Sequence, residues 1–343
     1  MGLNLLIFLF CFSTCGLPAE EKSVDLNPTS SIFHPSSQTT DPDFRATQQN
    51  EIVSSGAKLE LIWGEGKFTE GPVVLVDGSV LFSDIRRNRI MKWSAESMQT
   101  TVFREETHAT NGLALKYMAD FTAAPVIINC EGNQEGGRRI SATFNDVTTT
   151  IVDQFEGKKL NSPNDVAIGN SGRIYFTDPR YGDQSGRELD FEGVFVVEKN
   201  NARLATRNVE RPNGIAITAD EKYAYVADNN NAPGGARKLF RFDIEKDGTF
   251  TNRKEIYDFG EGRGVDGMAL DKQGRIFATA GKGELAGVYV FGPQGEQLAL
   301  IRVPDTPTNC AIDFENRFLY ITAAVAPKSE GPKKFGLFRI KLR

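Results

Sequence analysis

Histidine is nearly absent from the sequence: only His34 and His108 occur in 343 residues. Neither belongs to a cluster with metal-ligand spacing, which argues against a zinc site of imidazole and thiolate. Nor can a Ser-His-Asp set or a histidine dyad be assembled from them. Cysteine is equally sparse. Cys11 and Cys15 lie in the N-terminal leader, which leaves Cys130 and Cys310. Two thiols so far apart are no disulfide framework, and both are expected to be buried, with a bridge between them the lesser alternative. Positive charge is not in excess. The net charge of −5 argues against a nucleic-acid binder, which carries a basic face. No apolar run is long enough for a stable membrane span. No glycine-rich loop leads from a strand into a helix, which disfavours kinases, transferases and dehydrogenases. Residues 51–343 show no sustained helical periodicity.

What is present begins with GLNLLIFLFCFSTCGLPA, a short apolar centre followed by small residues and proline. It reads as a signal peptide over residues 1–19. The chain is therefore expected to be secreted or periplasmic, with a lipid anchor at Cys15 as a minor alternative. Residues 20–50 are rich in Ser, Thr, Pro, Gln and Asp. Such a segment buries too little apolar surface to offset its ordering entropy, and a flexible linker is expected.

From residue 51 onward the chain repeats itself. Six segments share one form: EGPVVLVDGSVLFSD from Glu70, NGLALKYMADFTAAPVIINC from Asn111, NDVAIGNSGRIYFTD from Asn164, NGIAITADEKYAYVAD from Asn213, DGMALDKQGRIFATA from Asp266 and NCAIDFENRFLYITA from Asn309. Each is a short apolar strand, a turn with Gly, Asp or Asn, and a second strand rich in Ile, Val, Tyr and Phe. Their first residues lie 41 to 53 positions apart. Pieces such as RIMKWSAE, VFVVEKNNARLAT and VYVFGPQGEQLALI between them read as outer hairpins. Six four-stranded units of this length predict an all-β fold, a six-bladed β-propeller around a central channel, as a single domain over 51–343. Seven blades or a pair of sandwiches are the alternatives; a pair of sandwiches does not account for the regular recurrence.

In a closed ring the first residues of the six units converge on the axis: Glu70, Asn111, Asn164, Asn213, Asp266 and Asn309. Any one Asn-Gly here reads first as an ordinary turn. Six coincident oxygen-bearing side chains, two of them acids, suit one hard divalent cation. Calcium is the first expectation, with Mg2+, Mn2+ and Zn2+ as alternatives. Four further groups carry substrate-binding expectations. Asp178 and Tyr181, in FTDPRYG, follow Asn164 closely. Glu131 and Arg139 belong to the loop NCEGNQEGGRR, in which Arg138 also offers paired N–H donors for an acidic group. Asp84, Asp178 and Asp228 each end a second strand and read first as strand-end turn acids. His108 reads first as a loop histidine, and as a pocket-facing proton donor second.

At these positions the chain resembles the SMP-30/gluconolactonase family of six-bladed propellers. EGPVV, LNSPNDVAIGNSGRIYFTDPRYG, RPNGIAI and VDGMALD carry the likeness over roughly residues 60–325. The resemblance implies a divalent cation at Glu70, Asn213 and Asp266, with Asn164 touching metal or substrate. It implies hydrolysis of a sugar lactone, the cation polarising the carbonyl and Asp266 activating water as the catalytic base. Asn111 joins the substrate contacts. Some animal members have an arginine two residues before the Asn-Asp pair where this chain has Ser162, so Asn161 is the substitute expected there. Another ester or an organophosphate as substrate, and a non-catalytic ligand-binding propeller, are the alternative functions.

Overall fold

Five four-stranded antiparallel sheets are each built from one repeat in chain order. A computed structural model describes residues 32–33, 44–117, 124–134, 136–326 and 331–343, with backbone alone for 32–33. The expected signal peptide and most of the expected linker lie outside these residues. Blade 1 comprises Thr69–Val74, Val80–Asp84, Arg89–Trp93 and Thr100–Glu105. Blade 2 comprises Leu113–Lys116, Val126–Glu131, Arg139–Phe144 and Val147–Val152. Blade 3 runs through Val166–Ile168, Ile174–Asp178, Gly193–Glu198 and Asn201–Thr206, and blade 4 through Pro212–Ile217, Tyr223–Asn229, Arg237–Ile244 and Phe250–Asp258. Blade 5 comprises Met268–Leu270, Ile276–Ala280, Gly287–Phe291 and Gln297–Arg302. The fold is the expected six-bladed propeller.

Blade 6 is composite. Asp305–Ile312, Phe318–Ala324 and Phe335–Lys341 supply three strands, and Leu59–Gly66, from before blade 1, supplies the fourth. Glu60 faces Arg339 and Leu61 faces Phe338 across that seam, where the Arg339 guanidinium holds the Glu60 carboxylate at 2.7 Å. Ile32–Phe33 pairs outside it on Leu59–Gly66.

A single sheet has two apolar faces and no means of covering both. The circle solves this with six buried clusters, one in each wedge between neighbouring blades. Phe82 and Trp93 of blade 1 meet Tyr320 and Leu337 of blade 6. Ile276 and Tyr289 of blade 5 meet Tyr225 and Leu239 of blade 4. The wedge between blades 1 and 2 is the thinnest, with Leu81, Ile90, Leu113 and Ile127 as its buried members.

The expectation of a flexible linker through residue 50 is corrected for residues 44–50. Phe44 is buried edge-on against Tyr289 and Phe291, with ring centroids 5.0 and 5.5 Å away. Thr47 N–H donates to the Gln297 carbonyl at 3.0 Å. The Gln49 amide bonds both backbone groups of Leu300, its Oε1 accepting at 2.8 Å and its Nε2 donating at 3.1 Å. This side chain satisfies the edge of blade 5 as a further strand would. One aromatic anchor and one amide outweigh a polar composition. Cys130 and Cys310 are both buried and free, as expected.

Candidate active site

The six inner strands are joined around the axis by hydrogen bonds between neighbours. Ser83 Oγ of blade 1 donates to the Asn111 carbonyl at 2.7 Å. Gly112 N–H donates to Asn164 O at 2.8 Å, Gly214 N–H to Asp266 O at 2.7 Å and Gly267 N–H to Thr308 O at 2.7 Å. Ile215 N–H donates to the Asp165 carboxylate at 3.2 Å. Thr308 Oγ1 donates to Thr69 O at 2.7 Å and closes the circle.

Glycine after the ring residue makes this approach feasible. A Cβ on Gly71 would lie 2.3 Å from the Asn111 carbonyl oxygen, one on Gly214 2.4 Å from Asp266 O, and one on Gly267 2.0 Å from the Asn309 side chain. Non-bonded carbon needs well over 3 Å, roughly. The glycine in each Asn-Gly, Asp-Gly or Glu-Gly pair thus lets the next blade cross in front of it.

The acids that end the second strands have one shared task in three blades. Asp84 accepts from the N–H groups of Lys67 and Phe68 at 2.9 and 3.2 Å. Asp178 accepts from Asn161 and Ser162, both at 2.7 Å. Asp228 accepts from Glu210 and Arg211 at 2.7 and 2.8 Å. Each carboxylate clips the loop just before Glu70, Asn164 or Asn213 and so fixes where the ring residue starts.

Glu70, Asn111, Asn164, Asn213, Asp266 and Tyr181 line one cavity of about 410 Å³. Glu70, Asn213 and Asp266 are at least nine-tenths buried. Asn213 Nδ2 donates to the Tyr181 hydroxyl at 3.0 Å, which donates to the Asn229 carbonyl at 3.2 Å. Burial raises the Glu70 carboxyl well above its usual range, and the Asp266 charge raises it further, against the N–H of Gly71. Burial also raises Asp266, opposed by Arg263 and Asn213. Tyr181 is raised by burial and by Asp266. These are the marks of acids facing one another with too little positive charge nearby.

Asn309 is the ring member that turns away. With Asp165 it lines a second cavity of about 410 Å³ toward the other ends of the inner strands. Its side-chain oxygen accepts from Cys310 N–H at 2.8 Å, and its amide hydrogen bonds the carboxylates of Glu70 and Asp165. Asp165 was not singled out from the sequence. Its signal was there, since it stands where Glu70, Asn111, Asn213 and Asp266 are followed by glycine. Burial pushes its carboxyl up to about 7, against the N–H donors of Ile215 and Val166.

Four expected substrate contacts, Glu131, Arg139, Asn161 and Asp178, do not line the cavity. Glu131 is buried in blade 2, held by Arg139 Nε at 2.7 Å and Ser141 Oγ at 2.6 Å. Arg139 is committed to that ion pair. Asn161 turns its amide into its own loop, donating to the carbonyls of Asp178 and Phe191 at 3.0 and 2.9 Å. Asp178 is the loop clip described above; burial lifts its carboxyl to about 7. Arg138 ties the Leu160 and Gly186 carbonyls together at 2.6 and 2.9 Å. His108 packs against Gly136. Residues that do line the cavity, unmarked in the sequence reading, include Asn229, Asn231, Thr306 and Arg263.

The donor set fits a hard divalent cation. Glu70 and Asp266 are buried carboxylates, the Asp266 charge raising the Glu70 carboxyl further, and amide oxygens complete the wall. Among the described residues no trio of His, Cys, Asp and Glu side chains converges to hold an ion, so a site here depends on asparagine.

Known proteins share this architecture. A family model described as SMP-30/Gluconolactonase/LRE-like region matches residues 68–325. A gluconolactonase from Zymomonas mobilis is 31% identical over 307 residues, 83% of this chain and 84% of its own length. A regucalcin from Sus scrofa is 25% identical over 301 residues, 81% and 88% of the two chains. The solved structure of a gluconolactonase from Xanthomonas campestris superposes with a TM-score of 0.70 at 27% identity, covering 86% of this chain and 92% of that one.

Proposed function

This chain belongs to the SMP-30/gluconolactonase/LRE-like family, and from that premise we propose that it hydrolyses a sugar lactone in the cavity that Glu70 and Asp266 line. The observation that carries the reading is the pairing of two buried acids with an amide-rich wall in that one cavity. Glu70, Asn213 and Asp266, with Asn164 beside them, are the residues that would hold a divalent cation, calcium first by its preference for oxygen. Such an ion, when bound, supplies a Lewis acid for the lactone carbonyl.

The chain's own residues account for the rest. Asp266 takes a proton from the attacking water at its carboxylate. Water oxygen adds to the carbonyl carbon, the ring C–O bond breaks, and the ring oxygen takes the proton back from Asp266 and leaves as a hydroxyl. Asn111, Asn164, Asn229 and Asn231 offer both donors and acceptors to a polyhydroxylated ring. The Asn229 side-chain oxygen is buried without a hydrogen-bond partner, which favours a ligand that brings a donor. These amide donors and acceptors support a sugar lactone over an aryl ester or phosphotriester. Export by the N-terminal segment is part of the same proposal, checked by sequencing the N-terminus of the mature protein.

A pH-stat assay on purified protein tests the reading, with aldonolactones, aryl esters and phosphotriesters as the panel. Aldonolactone hydrolysis is expected to lead, to vanish on exhaustive chelation and to return with calcium. Undiminished turnover after chelation refutes the cation's part, and no turnover on any substrate refutes the enzyme.

A further inference from the structure

Among the described residues, Arg263 is the only basic one lining the cavity. It stands three positions before Asp266 in GEGRGVDG, on the loop leading to the inner strand of blade 5. Its carbonyl accepts from Gly281 N–H at 2.9 Å, which fixes the backbone. Its guanidinium donates to the Pro307 carbonyl at 2.7 Å and pairs with Asp266 Oδ2. The fork offers more N–H donors than these two bonds use.

Two consequences meet at this side chain. The guanidinium occupies the carboxylate that a divalent cation would need, so the two positive groups compete for Asp266. Ring opening also turns a neutral ester into a carboxylate. Within a cavity of acids and amides, Arg263 is the group suited to receive it in a bidentate bond. Its bond to Pro307 gives the fork a fixed point about which to turn. We propose that Arg263 neutralises Asp266 while the cation is absent and, once the cation takes that carboxylate, binds the carboxylate of the opened product. The second half rests on the lactonase reading; the first concerns cation binding and stands without it.

The test uses Arg263→Met and Arg263→Lys beside the wild type, each stripped with chelator and titrated calorimetrically with calcium. D-gluconate is then titrated into the calcium-saturated proteins. Arg263→Met is expected to bind calcium about tenfold more tightly and gluconate about tenfold or more weakly, with Arg263→Lys between. Its metal-free melting temperature is expected to fall and to recover with saturating calcium, because Asp266 loses its counter-charge. Calcium affinity that is unchanged or lower in Arg263→Met overturns the competition. Gluconate affinity that is unchanged overturns the product contact. A wild type inert on every lactone, whose Arg263→Met form still gains calcium affinity, removes the lactonase reading and leaves the first half standing. Active wild type with neither shift in the variants does the reverse.

Discussion

Glu70 and Asp266 cannot both be comfortably charged in a buried space with one guanidinium for company, and this makes the residue scale testable. Asp266→Asn keeps the shape and removes the proton acceptor. Its kcat on an aldonolactone is expected to drop by about 10²–10⁴, with an unchanged circular dichroism spectrum. Glu70→Gln is expected to weaken calcium binding by at least about 100-fold in calorimetry. The same acids set a pH dependence. Glu70, Asp165, Asp178 and Asp266 all have carboxyls raised in the folded state, the second and third to about 7. Between the ordinary carboxylate pKa of about 4 and that value, the folded protein holds protons that the unfolded chain has released. Stability of the metal-free protein therefore declines as pH rises through this window. Thermal melts in chelator from pH 4.5 to 8, as rough limits, are expected to show the midpoint falling, and Asp165→Asn is expected to flatten the slope. A midpoint that climbs across the window is the contrary result.

At the scale of elements, the inner strand and its clip decide where functional groups land. Gly267→Ala puts a methyl 2.0 Å from the Asn309 side chain, which must move and release Glu70. A loss of about 1–3 kcal/mol in urea unfolding is expected, together with weaker calcium binding. The ring residues were legible in the sequence because equivalent places in six repeats must converge once the circle closes. Glu131, Arg139, Asn161 and Asp178 lie outside the cavity lining, because nearness along the chain carries no direction. Asp178 follows the ring residue Asn164, yet two N–H donors turn its carboxylate into its own loop. Arg263 was hidden in a glycine-rich loop, and its reach to Asp266 depends on the Pro307 carbonyl of the next blade. The clips themselves were visible as acids ending second strands, and their structural reading is the one the geometry supports.

For the molecule as a whole, stability is divided among six wedges. Phe44 belongs to the wedge between blades 4 and 5 although it precedes every blade. Phe44→Ala is expected to cost about 3–5 kcal/mol by denaturant unfolding; a change under about 1 kcal/mol would mean this segment only rests on the surface. Blades 1 and 2 share the smallest of the six clusters, and Arg104 adds to it by reaching across to Thr148 at 3.0 Å and to Thr143. Their mutual face was the hardest to read, because strand patterning marks buried positions without naming the partner blade.

Blade 6 takes one strand from the start of the domain and three from its end. During synthesis Leu59–Gly66 emerges early and must wait, its edge unsatisfied, until Phe335–Lys341 has been made. The last blade can be completed only once Phe335–Lys341 exists, so termination upstream of that strand leaves an open arc with two sticky ends.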